Sequence, residues 1–433
     1  MQKRQLLQTR ESARSATAIA GCANIHAWFF YELTPHGNQM SKVLEGIRVL
    51  DFGRYIAGPF CATLLGDMGA EVIRVEKVDG SEDRFLSPVT EHGDGATLMQ
   101  MGRNKLGLTL NPMKPEGREI VSKLVATADV VVANLPPDTL KTMGLDYDSL
   151  RAIKPDIILT MICAFGTGGP YQNRVGFDGL GQAMSGSMYL SGTPEQPVKS
   201  YAPYVDFGTA SLSAFGTVAA LYERQKTGKG QIVEGSLFNT ALTMMNSTLI
   251  EQSMIDRNRV ATLNRSQTSA PADTFKTLDG WVLVQSVGGP LFKRWVELID
   301  EPHWLDDPRF ATDISRGDHG AMISERLAEW CAERTLSEVL SAMEEARIPA
   351  GPVLSPQQVL DDPHIAEKGL FKYIDYPGAA HPAPVMQTPV ELSETPGEIR
   401  HRAPTLGQHT EQIMQELGYT PEQIAELRVQ RVI

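Results

Sequence analysis

The run between Gly46 and Glu76 most narrows what this chain can fold into. Gly46-Ile-Arg-Val-Leu-Asp-Phe reads as a short strand, and Pro59 to Gly69 as a helix with Pro at a plausible first position and Gly at its stop. Ala62, Leu64, Leu65 and Met68 form one apolar face of that helix, and Glu71-Val-Ile-Arg-Val-Glu alternates as a second strand. Two strands joined through so short a helix make a βαβ unit, which closes parallel and right-handed.

The alternation continues. Residues 115–128 read as a helix and Asp129-Val-Val-Val-Ala as a fully buried strand. A short helix over 147–153 precedes the strand Asp156-Ile-Ile-Leu-Thr-Met, and residues 207–224 carry apolar positions at helical spacing before the strand Gln231-Ile-Val-Glu-Gly. The fold class is therefore α/β: a Rossmann-like large domain with a parallel sheet. From residue 265 the texture changes. Asp279-Gly280 marks a hairpin turn ahead of Trp281-Val-Leu-Val-Gln-Ser, and helices follow at 290–299, 321–332 and 336–346. The expected organisation is an extension over 1–39, a large domain beginning over 40–240, a linker over 241–264, a smaller α+β domain over 265–365, and a return to the large domain over 366–433.

Composition removes several function classes. The net charge of −12 offers no electropositive field for nucleic acid, and no uninterrupted apolar stretch suggests a membrane span. The four cysteines have no paired or metal-ligand spacing, as expected of reduced thiols in a cytoplasmic protein, and the nine histidines form no HExxH pattern, so no metal is expected. Residues 1–39 mix basic residues with an aromatic patch, Trp28-Phe-Phe-Tyr, and read as an upstream extension with Met40 as the working start.

Three segments could carry chemistry. The turn Gly53-Arg-Tyr-Ile-Ala-Gly-Pro-Phe follows the first strand, where parallel sheets bind ligands, but it lacks both the dinucleotide and the P-loop fingerprints, and its local sequence favours a helix-capping turn. Gly176-Phe-Asp-Gly-Leu-Gly-Gln-Ala-Met-Ser-Gly suits close approach of backbone to a ligand, or else a flexible surface loop. Asp206 stands immediately ahead of an apolar helix, as an N-cap or as a carboxylate kept ionised by the helix end. Local sequence alone favours the cap. GxSxG is absent, against a serine hydrolase.

Taken together these segments resemble the family III CoA-transferases, the group that includes formyl-CoA:oxalate and carnitine CoA-transferases. The landmarks are GIRVLDFGRYIAGPFCATLLGDMGAEVIRVE at 46–76, NKLGLTLN at 104–111 and VVVANLPPDTLKTMGL at 130–145, followed by GFDGLGQAMSG at 176–186 and YVDFG at 204–208. TGKGQ at 227–231, IPAGPV at 348–353 and LGQHT at 406–410 complete the series. The resemblance implies that Asp206 is the nucleophile, and that Arg54, Tyr55, Ile56, Ala57, Lys77, Leu110, Asn134 and Met143 contact coenzyme A. It places Phe177 and Asp178 at the acyl site, with Gln182 beside them, and implies an interlocked homodimer. Arg74 and Lys105, with Arg54 and Lys77, are further cations of the right charge for the phosphates of CoA.

Two departures qualify the match. Thr142 stands where some members place a CoA-holding arginine, with Lys141 as a substitute, and Arg265-Ser-Gln-Thr-Ser-Ala-Pro replaces the glycine run of formyl-CoA transferases. The second argues against formyl-CoA:oxalate specificity and makes 265–271 and 286–290 candidates for setting acid preference. The implied activity moves CoA from an acyl-CoA to a small carboxylic acid, by default a short dicarboxylate pair. CoA is then a substrate, with no tightly bound cofactor. An α-methylacyl-CoA racemase and a non-catalytic CoA-binding protein remain alternatives. The racemase needs a proton-carrying pair, and Phe177 stands where that group has a histidine.

Overall fold

The computed structural model describes residues 42–433. The extension expected over 1–39 lies outside the described residues. Six strands, β1 (Arg48–Asp51), β2 (Glu71–Glu76), β3 (Lys105–Thr109), β4 (Val130–Ala133), β5 (Ile158–Cys163) and β6 (Ile232–Ser236), form one sheet in the order β3-β2-β1-β4-β5-β6. Every neighbouring pair runs parallel. The chain builds outward from β1 to β3, then jumps back to start the other half at β4. The crevice beyond the carboxyl ends of β1 and β4 is therefore a topological switch point.

Alternating strand residues feed two cores on opposite faces. Leu50, Val131 and Leu159 pack against α2 (Pro115–Thr127) through Ile120 and Leu124. The end of the chain joins that face through Ile413, Ile424, Val432 and Ile433. Val49, Val130, Val132 and Ile158 face the other way, toward α1 (Ala57–Asp67) and α4 (Tyr204–Thr227), with α3 (Asp178–Met184) lying between β5 and α4 in the chain. With both faces covered, continuous apolar strands such as Val-Val-Val-Ala of β4 are what burial demands.

Helix α1 begins at Ala57, two residues ahead of the expected Pro59. Proline fits there because the first-turn N–H groups have no partner within the helix to lose. A larger difference lies at 241–264. Most of the expected linker is helix, α5 (Leu237–Ile255), started by Ser236, whose hydroxyl accepts from the Asn239 N–H at 3.3 Å. Only Leu237, Thr240 and Ala241 of α5 are buried, so its inward stripe is too narrow to signal a helix. Further on, β7 (Ala272–Lys276) and β8 (Trp281–Gln285) pair as the expected hairpin. The unanticipated β9 (Ala350–Pro352) adds to β8 at the edge, where a proline is tolerated. Phe275, Val282, Val284, Trp295, Leu327 and Met343 make a separate core there.

Two expected phosphate ligands are committed elsewhere. Lys105 is 1% exposed, and its Nζ donates to Asp51 Oδ2 and to the Pro59 carbonyl, both at 2.7 Å. Arg74 is equally buried and pairs with Asp83 at 2.8 Å and Glu76 at 3.3 Å. A buried cation already matched to its own carboxylate has no free charge for a phosphate, so both assignments are corrected to structural ones. Burial alone would raise the Asp51 carboxyl, but Lys105 and Arg74 hold it below its ordinary value.

Breaking a buried pair leaves a bare charge in low dielectric, at a cost of about 3–5 kcal/mol. Lys105→Met is expected to lose that much in urea unfolding. Adding Asp51→Asn, which removes the stranded charge but keeps an acceptor for the Gly53 N–H, should restore part of it.

Candidate active site

The turn after β1 is fixed by contacts across the switch point. A Cβ on Gly53 would sit 2.7 Å from Pro59 Cδ and 2.8 Å from Asp51 Oδ1, so the first residue of the turn must be glycine. The Arg54 N–H donates to Asn134 Oδ1 at 2.7 Å, and Asn134 Nδ2 donates back to the Arg54 carbonyl at 2.8 Å. This two-way clamp ties the turn after β1 to the turn after β4. Tyr55 follows with φ +61°, a left-handed conformation costly for a bulky residue, and its ring meets Phe177 edge-on at 5.3 Å.

Asp206 is not the cap of α4. Pro203 holds the cap position without a side-chain bond, and Asp206 is the third helical residue. The free N–H groups go to a different carboxylate: Asp178 Oδ2 accepts from Val205 N at 2.7 Å and Asp206 N at 3.1 Å. Gln182 steadies that carboxylate, donating to Asp178 Oδ1 at 2.5 Å while its own carbonyl accepts from Ser200 N at 2.9 Å. Asp178 and Gln182 thus form a support behind Asp206 and do not line the pocket where they were expected.

The environment of Asp206 is unusual for a carboxylate. It is 8% exposed and makes no side-chain hydrogen bond to a partner among the described residues. Burial, and then the negative charge of Asp178, push its pKa up to about 7. The helix end alone suggested the opposite direction. Desolvation wins because the positive helix end is already satisfied by Asp178.

Two cavities meet at Arg54 and Leu135. The first, of about 310 Å³, has Asp206, Arg54, Tyr55, Ile56, Ala57, Asn134 and Phe177 on its walls. The second, of about 480 Å³, is lined by Arg54, Lys77, Leu110 and Met143 together with Lys114 and Arg431. Ten of the expected site residues line these two cavities, which share Arg54 and Leu135; Arg74, Lys105, Asp178 and Gln182 line neither. Lys141 and Thr142 line neither cavity; the Thr142 hydroxyl bonds the Asp138 carbonyl within its own helix at 2.8 Å. Residues 265–271 and 286–290 line neither one. Sequence reasoning missed Lys114 and Arg431, which no local pattern distinguishes from ordinary surface cations, and Cys163, Asp138 and Arg174 on the first cavity.

Most of the glycine-rich segment is a helix, α3, and Gly181 within it serves packing: a Cβ there would meet Val205 Cγ1 at 3.0 Å and the Leu237 carbonyl at 3.4 Å. In α4, a Cβ on Gly208 would meet Met244 Cε at 2.5 Å. Gly176 is the glycine of 176–186 that reaches the cavity wall.

A buried carboxyl with a raised pKa weakens the fold once the unfolded chain ionises. Below pH 4 both states are neutral and nothing is lost; between about 4 and 7 stability falls, and above 7 the cost is constant. Asp206→Asn is expected to raise unfolding stability at pH 8 by about 2–4 kcal/mol, with the gain vanishing toward pH 4. Thermal unfolding of the two proteins across that range checks it.

Among the described residues, no helix is long and apolar enough to cross a membrane. The chain is similar to the succinyl-CoA–D-citramalate CoA-transferase of Chloroflexus aurantiacus, 34% identical over 398 residues that cover 90% of this chain and 98% of the relative. It is 31% identical over 382 residues to the succinate–glutarate CoA-transferase of Agrobacterium fabrum, covering 86% of this chain and 95% of the relative. The crystal structure of a CAIB/BAIF family protein from Brucella suis superposes with a TM-score of 0.76 at 30% identity, over 87% of this chain and 99% of that one. The family model of CoA-transferase family III matches residues 44–410, and the chain belongs to that family.

Proposed function

We propose that this enzyme transfers CoA from an acyl-CoA to a small carboxylic acid by way of a covalent intermediate on Asp206. The observation that carries this reading is a buried carboxylate, without a side-chain partner among the described residues, on the wall of a cavity at the switch point. The second cavity, with Lys77, Lys114 and Arg431 at its rim, suits the phosphates and adenosine of CoA, and Arg54 stands where the two cavities join.

The ionised Asp206 attacks the thioester carbonyl, the C–S bond breaks, and CoA leaves as thiolate from a mixed anhydride. The thiolate then attacks the Asp206 carbonyl, releasing the donor acid and leaving an aspartyl-CoA thioester. An acceptor carboxylate displaces the thiolate to form a second anhydride. Attack by the thiolate on the acceptor's carbonyl gives the product thioester and frees Asp206. Each intermediate hydrolyses readily, so water must be kept out. Burial that raises the Asp206 pKa also strips water from the carboxylate, making it more reactive once ionised.

The resemblance to the family implies a homodimer, and the surface agrees with one. Leu212, Phe215 and Tyr222 on α4 and Ile250, Met254 and Ile255 on α5 are exposed apolar side chains, too many for a face left in water. Free Cys61, Cys163 and Cys331 accord with a cytoplasmic setting.

Intact-mass analysis after mixing with succinyl-CoA and quenching with hydroxylamine should give an adduct mapping to Asp206, absent from Asp206→Asn. Normal turnover by pure Asp206→Asn would refute the nucleophile. Turnover should also rise with pH through a limb near 7, as Asp206 ionises. Asp178→Asn removes the repelling charge while keeping an acceptor for the α4 N–H groups, so it should move that limb to lower pH.

A further inference from the structure

The first cavity has one wall that CoA transfer as such does not explain. The loop from β5 to α3 brings Gln172, Asn173 and Arg174 to the same cavity as Asp206. Arg174 stands on an aromatic column rooted in the fold. Its guanidinium lies 4.1 Å from the centroid of the Tyr171 ring. Tyr171 meets Phe165 edge-on at 5.4 Å, and Phe165 packs on Phe238 at 5.8 Å. Phe238 belongs to the first turn of α5.

That stacking holds the guanidinium by its face and leaves its edge free. The edge is the fork of N–H donors that binds a carboxylate in bidentate fashion. No carboxylate among the described residues lies within the 4.0 Å ion-pairing distance of Arg174, and its side chain donates no hydrogen bond among them. The other arginine of this cavity is differently used: Arg54 Nη1 donates to the carbonyls of Phe52, Gly53 and Val75 at 3.2, 2.9 and 3.2 Å. The cavity also contains Asp138 and Asp206, so an anionic substrate without a matching cation would be repelled.

We propose that Arg174 is a specificity-determining residue that binds the second carboxylate of a dicarboxylic acyl group, making diacids the substrate class. The assignment rests on the CoA-transfer reading given above for the reacting end. With the thioester carbonyl at Asp206, Arg174 is a cation left on the same cavity's wall for the far carboxylate of a short diacid. The two relatives above, a succinyl-CoA–D-citramalate and a succinate–glutarate CoA-transferase, are in line with such a class.

The test compares the wild type with Arg174→Gln and Arg174→Lys. Transfer is measured from succinyl-CoA to glutarate and from acetyl-CoA to butyrate, and binding of glutarate, butyrate and CoA is measured by calorimetry. The expected result is a fall of about 30-fold or more in the diacid-to-monoacid ratio of kcat/KM for Arg174→Gln, carried by KM, with part recovered in Arg174→Lys. Glutarate binding should weaken by a similar factor while CoA binding holds. An equal loss for both acid pairs, weaker CoA binding in step with glutarate binding, or a wild type preferring butyrate would overturn the assignment. Absence of transfer from every donor by the wild type would instead count against CoA transfer, and the glutarate calorimetry would still decide the role of Arg174. Because Arg174 is exposed on a loop, Arg174→Gln is expected to unfold at the wild-type temperature.

Discussion

Much of this site depends on which carboxylate serves the start of α4. The helix needs an acceptor for its first N–H groups, and Asp178 supplies it from another helix, held in place by Gln182. Asp206 is thereby released from the duty its position suggests. It is left buried, without a strong partner among the described residues and beside a like charge, and such a group resists ionising until near neutral pH. Had Asp206 capped its own helix, its oxygens would be bonded and its pKa low, a stable arrangement but a poor nucleophile. The local preference for a cap was right about the need and wrong about the residue that meets it.

The same division separates what was legible from what was not. The parallel sheet was readable because buried parallel strands must be apolar throughout, as Val-Val-Val-Ala of β4 is. The turn after β1 was readable as the end of a strand and the start of a helix, but its local residues favour a capping turn, and only the resemblance points it toward CoA. Helix α5 was hidden because it turns only a narrow stripe inward and leaves Ile250 and Met254 exposed. Lys105 and Arg74 misled because a charged residue in a strand gives no sign in sequence of whether its partner lies in water or in the core. Gly181 illustrates a related ambiguity, since close approach to a ligand and close approach to another helix need the same missing Cβ.

Strain and clamp act together at the turn after β1. The paired bonds between Arg54 and Asn134 hold the two halves of the sheet at a fixed separation where the chain reverses its order. Tyr55 is kept in its left-handed conformation against that frame, with its ring on Phe177. The cost is borne locally by a residue that contributes to the cavity wall, a common placement of backbone strain. A fixed frame also explains how two cavities can share Arg54: that residue cannot shift toward either without breaking bonds to three carbonyls.

The burial of Val432 and Ile433 bears on how the large core closes. Val432 and Ile433 are 0% and 4% exposed within the core against the sheet, and the Val432 carbonyl accepts from Asn111 N at 2.7 Å. Residues 413–433 thus complete a core whose strands lie between residues 48 and 236, so this face of the sheet closes only through contacts of long sequence separation. Until they dock, apolar strand surface is open to chaperones or to neighbouring chains.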